Sequence, residues 1–231
     1  MMPQSTKNIQ APRIQMPWSS IDTLLIDMDG TLLDLHFDNY FWQEYIPKVF
    51  ADKNSMSLSA SLQKLASYSK EVQGSLDWYC LDYWSDLLKL DIVKLKMDVG
   101  DKIGFRPNAI NFLDFIKTLD KQIILTTNAH PKTLELKLLK ADFSEYFCHL
   151  VSSHDLGYAK ENNIFWDMLT SQYALTPSKC LFIDDSLSIL KVAKTFGIGH
   201  LLAIEQPDSK KASIDCFPFN SIQDFSQLIS E

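Results

Sequence analysis

The sequence predicts an α/β fold: a Rossmann-like parallel sheet flanked by helices, with an all-helical domain inserted after the first strand. Two observations lead to this class. Short apolar runs alternate with helix-like stretches along most of the chain, as in folds built from parallel strands joined by helices. Between the first two runs, however, about 70 residues show only helix-like patterns where a short crossover would suffice.

The strands are predicted from apolar runs that end in polar residues. A buried strand of a parallel sheet is covered by helices on both faces, so its residues form a continuous apolar run. The stronger runs are residues 23–28, 122–127 and 180–183, and weaker runs occur at residues 148–152 and 200–204. The segment 207–231 reads as a loop, a short strand and a final helix.

Helices are predicted between these strands, at residues 107–119, 131–140, 162–173 and 187–196. Pro107 and Pro131 suit the first turn of a helix, where the missing N–H of proline costs no hydrogen bond. Gly197 suits the position just after a helix ends. These signals support a βα alternation in the second half of the chain.

The stretch from residue 34 to residue 104, called here the helical insertion, lacks a strand-like run. It carries three helix-like patterns, at residues 39–50, 57–73 and 76–90. The predicted organisation is therefore a flexible N-terminal tail over residues 1–20, an α/β core over residues 21–33 and 105–231, and the inserted domain over residues 34–104.

Composition excludes several classes of protein. Lys and Arg sum to 22 and Asp and Glu to 29, so the formal net charge of the 231 residues is −7. Such a chain has no overall attraction to a nucleic-acid polymer or to an anionic membrane surface. The four cysteines are widely spaced and form no CxxC pair, which argues against a disulfide framework.

The N-terminal segment carries no signal-like apolar stretch, and no run is long enough to span a membrane. We therefore expect a cytoplasmic protein. The sequence leaves its oligomeric state open.

Polar side chains follow the predicted strands, at the edge of a parallel sheet where ligands bind. They are Asp27, Asp29, Gly30 and Thr31 after the first strand, Thr127 and Asn128 after the second, Lys160 after the weaker third, and Asp184 and Asp185 after the fourth. Each signal alone is also typical of a turn, a helix cap or a solvated charge. Their combination at one sheet edge favours a catalytic site.

These residue types suit phosphoryl transfer through a covalent intermediate. A carboxylate can attack phosphorus, and Asp27 is the predicted nucleophile. Asp29, two residues on, can reach the same substrate; we expect it to protonate the leaving oxygen and then to activate water. Lys160 and Thr127 would stabilise the negative charge of the transition state. Gly30 would let backbone N–H groups approach the phosphoryl group.

Several carboxylates at one site repel one another and require a hard dication such as Mg²⁺. The predicted metal site comprises Asp27, Asp29, Asp184 and Asp185.

Asp27 to Thr31, Thr127 with Asn128, Lys160, and Asp184 with Asp185 resemble the four ordered motifs of the haloacid dehalogenase (HAD) superfamily of phosphatases. The resemblance covers about residues 21–204, with the helical insertion in the position of that superfamily's cap. It implies that Thr127, Asn128 and Lys160 bind phosphate and that the acidic pair binds Mg²⁺, with Asp185 as a direct ligand and Asp184 as a direct or water-mediated one. It also implies that Asp29 reaches the metal through its backbone carbonyl.

Four segments are more specifically similar to the bacterial GMP/IMP 5′-nucleotidase branch of this superfamily. They are residues 29–42 (DGTLLDLHFDNYFW), 76–85 (LDWYCLDYWS), 125–131 (LTTNAHP) and 157–161 (GYAKE). The resemblance implies purine nucleoside 5′-monophosphates as substrates. The position after Lys160 departs from the general superfamily pattern, since Glu161 stands where most members have proline.

The residues themselves leave alternatives open. A sugar phosphate or phosphoglycolate could be the substrate, and a phosphomutase is a further option. A dehalogenase needs Asp27 but no acid at position 29, so Asp29 argues against that activity. A phosphorelay receiver domain has its acidic pair first and no such insertion. In the helical insertion, Asn39 could either cap a helix or bind substrate, and the aromatic residues could either stack on a base or form a small core.

Overall fold

The computed structural model describes residues 13–229 and contains one six-stranded sheet in which every strand pair is parallel. The strand order is β3-β2-β1-β4-β5-β6. The strands are β1 (Thr23–Ile26), β2 (Gln122–Thr127), β3 (His149–Ser152), β4 (Cys180–Asp184), β5 (His200–Ile204) and β6 (Asn220–Ile222). The predicted α/β class with a parallel sheet is confirmed, including the short strand in the C-terminal segment.

The register of the central strands brings their carboxyl ends together. Ile26, the last residue of β1, pairs with Leu125 of β2 on one side and with Ile183 of β4 on the other. All four residues of β1 are buried, as the apolar run predicts for a central strand covered on both faces. The loop after β1 therefore lies between the ends of β2 and β4.

Among residues 34–104, the helical insertion contains helices and connecting turns but no strand. It contains α1 (His36–Tyr40), α2 (Ile46–Lys53), α3 (Leu58–Val72), α4 (Leu76–Tyr79), α5 (Leu81–Leu88) and α6 (Ile92–Asp98), with a π-helical turn (Phe41–Tyr45) between α1 and α2. The predicted helix over residues 76–90 is thus two helices, broken at Cys80, whose backbone is extended. Helix α6 was not predicted.

The insertion has its own hydrophobic core, built around Phe41, Leu65, Trp84 and Ile92. Its two ends lie side by side, because the Asp34 N–H donates to the Gly104 carbonyl at 2.9 Å.

Helices cover both faces of the sheet. They are α7 (Ala109–Lys117), α8 (Pro131–Lys140), α9 (Ser153–Leu156), α10 (Asn163–Gln172) and α11 (Leu187–Phe196). Alternate residues of β1 point to opposite faces: Leu24 belongs to the cluster that includes Phe112 of α7, and Leu25 to the cluster that includes Trp166 of α10. The bounds of α8 and α11 equal those predicted, whereas α7 begins two residues after Pro107.

The chain ends differ from the sequence prediction in two respects. Residues 1–12 of the predicted tail lie outside the described residues, but the following segment contacts the core: the Ile14 N–H donates to the Gln227 carbonyl at 2.9 Å, and Trp18 packs edge-on against Phe115. The predicted final helix is a short 3₁₀ turn (Phe225–Leu228). Among the described residues, no helix has the length and hydropathy needed to cross a membrane.

Candidate active site

The loop that follows β1 turns sharply at Gly30. The φ angle of Gly30 is +84°, and a Cβ atom there would lie 2.5 Å from Oδ2 of Asp185. A residue with a side chain would meet both backbone strain and a steric clash. Glycine is therefore required to bring this loop against the acidic pair after β4.

Lys160 connects the loop after β1 to the end of β4. Its buried ammonium group donates to Oδ1 of Asp27 at 2.6 Å, to Oδ2 of Asp184 at 2.7 Å and to the Thr126 carbonyl at 3.1 Å. The two carboxylates hold the pKa of Lys160 above its usual range despite burial. Lys160 is therefore a fixed positive charge at the centre of the site.

Three carboxylate groups lie close together and could bind a hard cation between them. Oxygen atoms of Asp27, Asp184 and Asp185 lie within 4.8 Å of one another. Oδ2 of Asp27 is buried and has no hydrogen-bond partner. Burial and the neighbouring acids raise the pKa of Asp185 well above its usual value. A divalent cation would relieve this repulsion, and clustered carboxylate oxygens are the ligands that Mg²⁺ prefers.

Asp29 belongs to a different set of charges. Its Oδ1 accepts a hydrogen bond from Lys137 of α8, which also donates to Oδ2 of Asp38 at 2.6 Å. Oδ1 of Asp38 in turn accepts from Lys96 of α6 at 2.7 Å. Burial raises the pKa of Asp29 to about 6, against the lowering effect of Lys137. This chain of ion pairs links the α/β core to the helical insertion.

Lys137, Asp38 and Lys96 were missed by sequence reasoning. For Lys137 a signal existed: it lies three residues after Leu134 and four after Thr133, on the face of α8 that is buried. A lysine on a buried helix face needs a charged partner, which points to a functional or structural ion pair.

A second connection between core and insertion runs through Glu161. Its Oε2 accepts from the Asn128 side-chain amide at 2.9 Å, and its Oε1 accepts from the Tyr79 hydroxyl at 2.6 Å. Oδ1 of Asn128 accepts from the Lys160 backbone N–H at 2.9 Å. Burial and Glu161 raise the pKa of Tyr79 above its usual value, so the phenol stays protonated and donates.

These groups surround a cavity of about 280 Å³ between the sheet edge and the insertion. Of the predicted site residues, those that line it are Asp27, Asp29, Thr127, Asn128, Lys160, Asp184 and Asp185. Gly30 and Thr31 do not line it, and the Thr31 hydroxyl is buried without a hydrogen-bond partner. Aromatic residues of the insertion, Trp42, Trp78 and Tyr79, form part of the opposite wall.

Asn39, a predicted substrate contact, lies elsewhere. Its side-chain amide donates to Oδ2 of Asp208 at 2.7 Å and accepts from Gln43 at 2.8 Å. It lines a neighbouring cavity of about 310 Å³ within the insertion.

The family model for haloacid dehalogenase-like hydrolases matches residues 21–197. The chain is also 40% identical, over 216 residues, to the protein named GMP/IMP nucleotidase YrfG of Escherichia coli strain K12; the match covers 94% of this chain and 97% of that one. The chain belongs to the haloacid dehalogenase-like hydrolase family. The Shigella flexneri protein of the same name matches equally.

Solved structures of haloacid dehalogenase-like proteins share the fold. A HAD phosphatase from Thermococcus onnurineus is similar with a TM-score of 0.72 and 20% identity, covering 90% of this chain and 95% of that one. The HAD hydrolase YfnB from Bacillus subtilis, solved with magnesium bound, is similar with a TM-score of 0.62 and 18% identity, covering 90% and 96%. At these identities the likeness establishes the architecture of this hydrolase.

Proposed function

We propose that this hydrolase is a Mg²⁺-dependent phosphomonoesterase that acts on purine nucleoside 5′-monophosphates such as GMP and IMP. The observation that carries the proposal is the 40% identity to a GMP/IMP nucleotidase over nearly the full length of both chains. The site geometry supplies the chemistry that such a reaction needs.

Asp27 is the proposed nucleophile. Lys160 holds Oδ1 of Asp27, whereas Oδ2 has no partner. The carboxylate is thus fixed in orientation with one oxygen available to attack phosphorus, and an aspartyl phosphate forms as the ester oxygen leaves. Lys160 and Thr127 line the same cavity and would stabilise the charge on the phosphoryl oxygens.

Asp29 is the proposed acid and base. Because burial raises its pKa to about 6, both protonation states are accessible near neutral pH, as the role requires. In the first step the protonated Asp29 gives its proton to the leaving nucleoside oxygen. In the second step the carboxylate takes a proton from the water that attacks the aspartyl phosphate.

Asp27, Asp184 and Asp185 would hold the Mg²⁺ ion. Their oxygens converge, and burial together with the neighbouring acids raises the pKa of Asp185, which indicates a local lack of positive charge. When bound, Mg²⁺ offsets the repulsion between the acids and the phosphate dianion. The carboxylate of Asp29 is instead occupied by Lys137, in keeping with a role in proton transfer.

The helical insertion is the proposed cap that selects the substrate. Trp42 and Trp78 line both the catalytic cavity and the neighbouring cavity within the insertion. A nucleoside monophosphate with its phosphate at Asp27 could extend its base toward these rings, which offer stacking surfaces. Trp42 also packs against the hydrophobic core of the insertion, so it contributes to both that core and the cavity wall.

A phosphate-release screen tests the proposal. The purified protein is assayed with nucleoside 5′-monophosphates, sugar phosphates and phosphoglycolate, with Mg²⁺ and with chelator. We expect turnover of IMP and GMP above AMP and the pyrimidines, and none in chelator. Preference for a sugar phosphate or phosphoglycolate would overturn the nucleotide assignment. Turnover that survives complete metal removal would overturn the mechanism.

A further inference from the structure

A second group of potential metal ligands lies outside the catalytic carboxylates. The Sγ of Cys80 and ring nitrogens of His130 and His154 all lie within 4.8 Å of one another. Cys80 belongs to the helical insertion, at the break between α4 and α5. His130 caps the start of α8 and His154 lies in α9, so both belong to the core.

One of the two histidines has a buried nitrogen atom with no partner. Nε2 of His154 is buried and has no hydrogen-bond partner, which is an unfavourable state for a polar atom. Nδ1 of His130 accepts a long hydrogen bond of 3.3 Å from the Lys132 N–H. A metal on Nε2 would require the ring proton to move to Nδ1, at the cost of this one hydrogen bond. The rings lie edge to face with centroids 4.8 Å apart.

We propose that Cys80, His130 and His154 bind a divalent transition metal of the Zn²⁺ class and thereby join the insertion to the core. A thiolate and two imidazoles form a ligand set that suits Zn²⁺ and does not suit Mg²⁺. Binding releases the thiol proton of Cys80 to solvent. Asp82 is a candidate for the fourth ligand: its Oδ2 lies 3.8 Å from Nε2 of His130, and its Oδ1 accepts from Lys132 at 2.5 Å.

The cluster needs only a small contraction to reach coordination geometry. Tetrahedral zinc with bonds of about 2.0–2.3 Å places its ligand atoms about 3.4–3.6 Å apart. Ligand pairs separated by up to 4.8 Å would close by at most about 1.4 Å, a shift on the scale of small side-chain rotations.

A metal here would act on the catalytic cavity through its walls. Cys80 follows directly on Trp78 and Tyr79, which line that cavity, and His130 follows closely on Thr127 and Asn128. Bound metal would hold the insertion against the core, so that the cavity opens less readily.

Cobalt spectroscopy gives the sharpest test. Co²⁺ is titrated into the full-length, metal-stripped protein under reducing conditions, with saturating Mg²⁺ to fill the carboxylate site. We expect one equivalent to give the intense d–d bands of tetrahedral Co²⁺ and a thiolate-to-cobalt charge-transfer band, both displaced by Zn²⁺. Cys80→Ser and His154→Ala should lose the charge-transfer band or bind at least ~10-fold more weakly.

Matched controls separate this site from other cysteines and histidines. Cys148→Ser and His149→Ala alter residues of the same types outside the cluster and should titrate like the wild type. Circular dichroism establishes that each variant is folded. Absence of a charge-transfer band in the folded wild type, or its survival in Cys80→Ser, would overturn the proposal.

Turnover supplies an independent readout. At saturating Mg²⁺, Zn²⁺ should reduce the kcat of the wild type several-fold more than that of Cys80→Ser, because only the wild type can bind the metal that joins the insertion to the core. Equal inhibition of both proteins would place the zinc effect at the catalytic carboxylates. It would refute the claim that metal bound by Cys80, His130 and His154 restrains the insertion. Because binding is read by spectroscopy, this proposal can fail or hold independently of the nucleotidase assignment.

Discussion

Replacing Lys137 by methionine should shift the pH dependence of the reaction. Methionine keeps most of the buried stem but removes the charge that contacts Asp29 and Asp38. Asp38 retains Lys96, at 2.7 Å, whereas Asp29 loses its cation. Without Lys137, the main influences that remain on Asp29 are burial, Asp38 and Asp27, and each of them raises its pKa.

The size of the shift follows from the contact. A hydrogen bond between charged groups contributes about 1.5–3 kcal/mol, and one pKa unit corresponds to about 1.4 kcal/mol. The pKa of Asp29, about 6 in the wild type, should therefore rise by ~1–2 units. Because the protonated acid is needed in the first step, the alkaline limb of kcat/KM should move upward by the same amount.

The assay is kcat/KM for GMP as a function of pH at saturating Mg²⁺. Lys140→Met is the matched control: it removes a lysine from the same helix, but one that is exposed and paired with the exposed Asp101 at 3.1 Å. The control should keep the wild-type profile. An unshifted alkaline limb in folded Lys137→Met would refute the claim that Lys137 sets the pKa of the catalytic acid.

Three further changes test other parts of the site. Asp27→Asn should lower kcat by at least ~1,000-fold with an unchanged circular dichroism spectrum; turnover near the wild-type level would exclude Asp27 as nucleophile. Gly30→Ala should lower the free energy of unfolding in urea by about 1–3 kcal/mol and weaken Mg²⁺ activation, because its Cβ would displace Asp185; a neutral effect would contradict the steric argument. The pKa of His154 is lowered to about 4 in the folded protein. The contribution of His154 to the free energy of unfolding is therefore greatest above pH ~6.5, and it falls below that pH because the unfolded chain takes up a proton. Allowing for partial solvent screening, the metal-free wild type should lose about 1 kcal/mol more than His154→Gln between pH 7 and pH 5; equal losses would refute the shift.

The sheet and its reactive edge could be predicted from the sequence because their signals are local. A strand buried on both faces, such as β1, is a continuous apolar run, and its carboxyl end is marked by Asp27 and Gly30. Parallel topology then brings the ends of neighbouring strands together without any knowledge of long-range packing. The grouping of Asp27, Lys160 and Asp184 at one edge follows from these signals alone.

Contacts between the core and the insertion could not be predicted in this way. Lys137 and Asp38 are 99 positions apart, and their pairing depends on how two helices from different parts of the chain meet. Asn39 faces Asp208 for the same reason. The sequence shows which residues are polar, but their partners depend on the packing of the insertion.

Two local features of the insertion, the start of α6 and the break before α5, are each marked by a side chain that caps a helix. Helix α6 begins after Asp91, whose carboxylate accepts from the Lys94 N–H at 3.0 Å, a regular N-cap pattern. The break before α5 is stabilised similarly, since the Sγ of Cys80 accepts from the Tyr83 N–H at 3.5 Å. Cysteine is a weak acceptor and an uncommon cap, so it does not mark a helix end in the sequence. The apolar pattern continues across Cys80 and therefore predicts a single helix over residues 76–90.

The paired linkers at residues 34 and 104 have a mechanical consequence. Because two adjacent chain segments are joined by a backbone hydrogen bond, the insertion can rotate about them as about a hinge. The same pairing resists translation of the insertion across the sheet. Asp38 lies four residues after Asp34, so its ion pair with Lys137 is a contact with the core made soon after the first linker. The Tyr79–Glu161 hydrogen bond is a separate contact between the insertion and the core, at the catalytic cavity. Rotation of the insertion that opens this cavity would separate Tyr79 from Glu161.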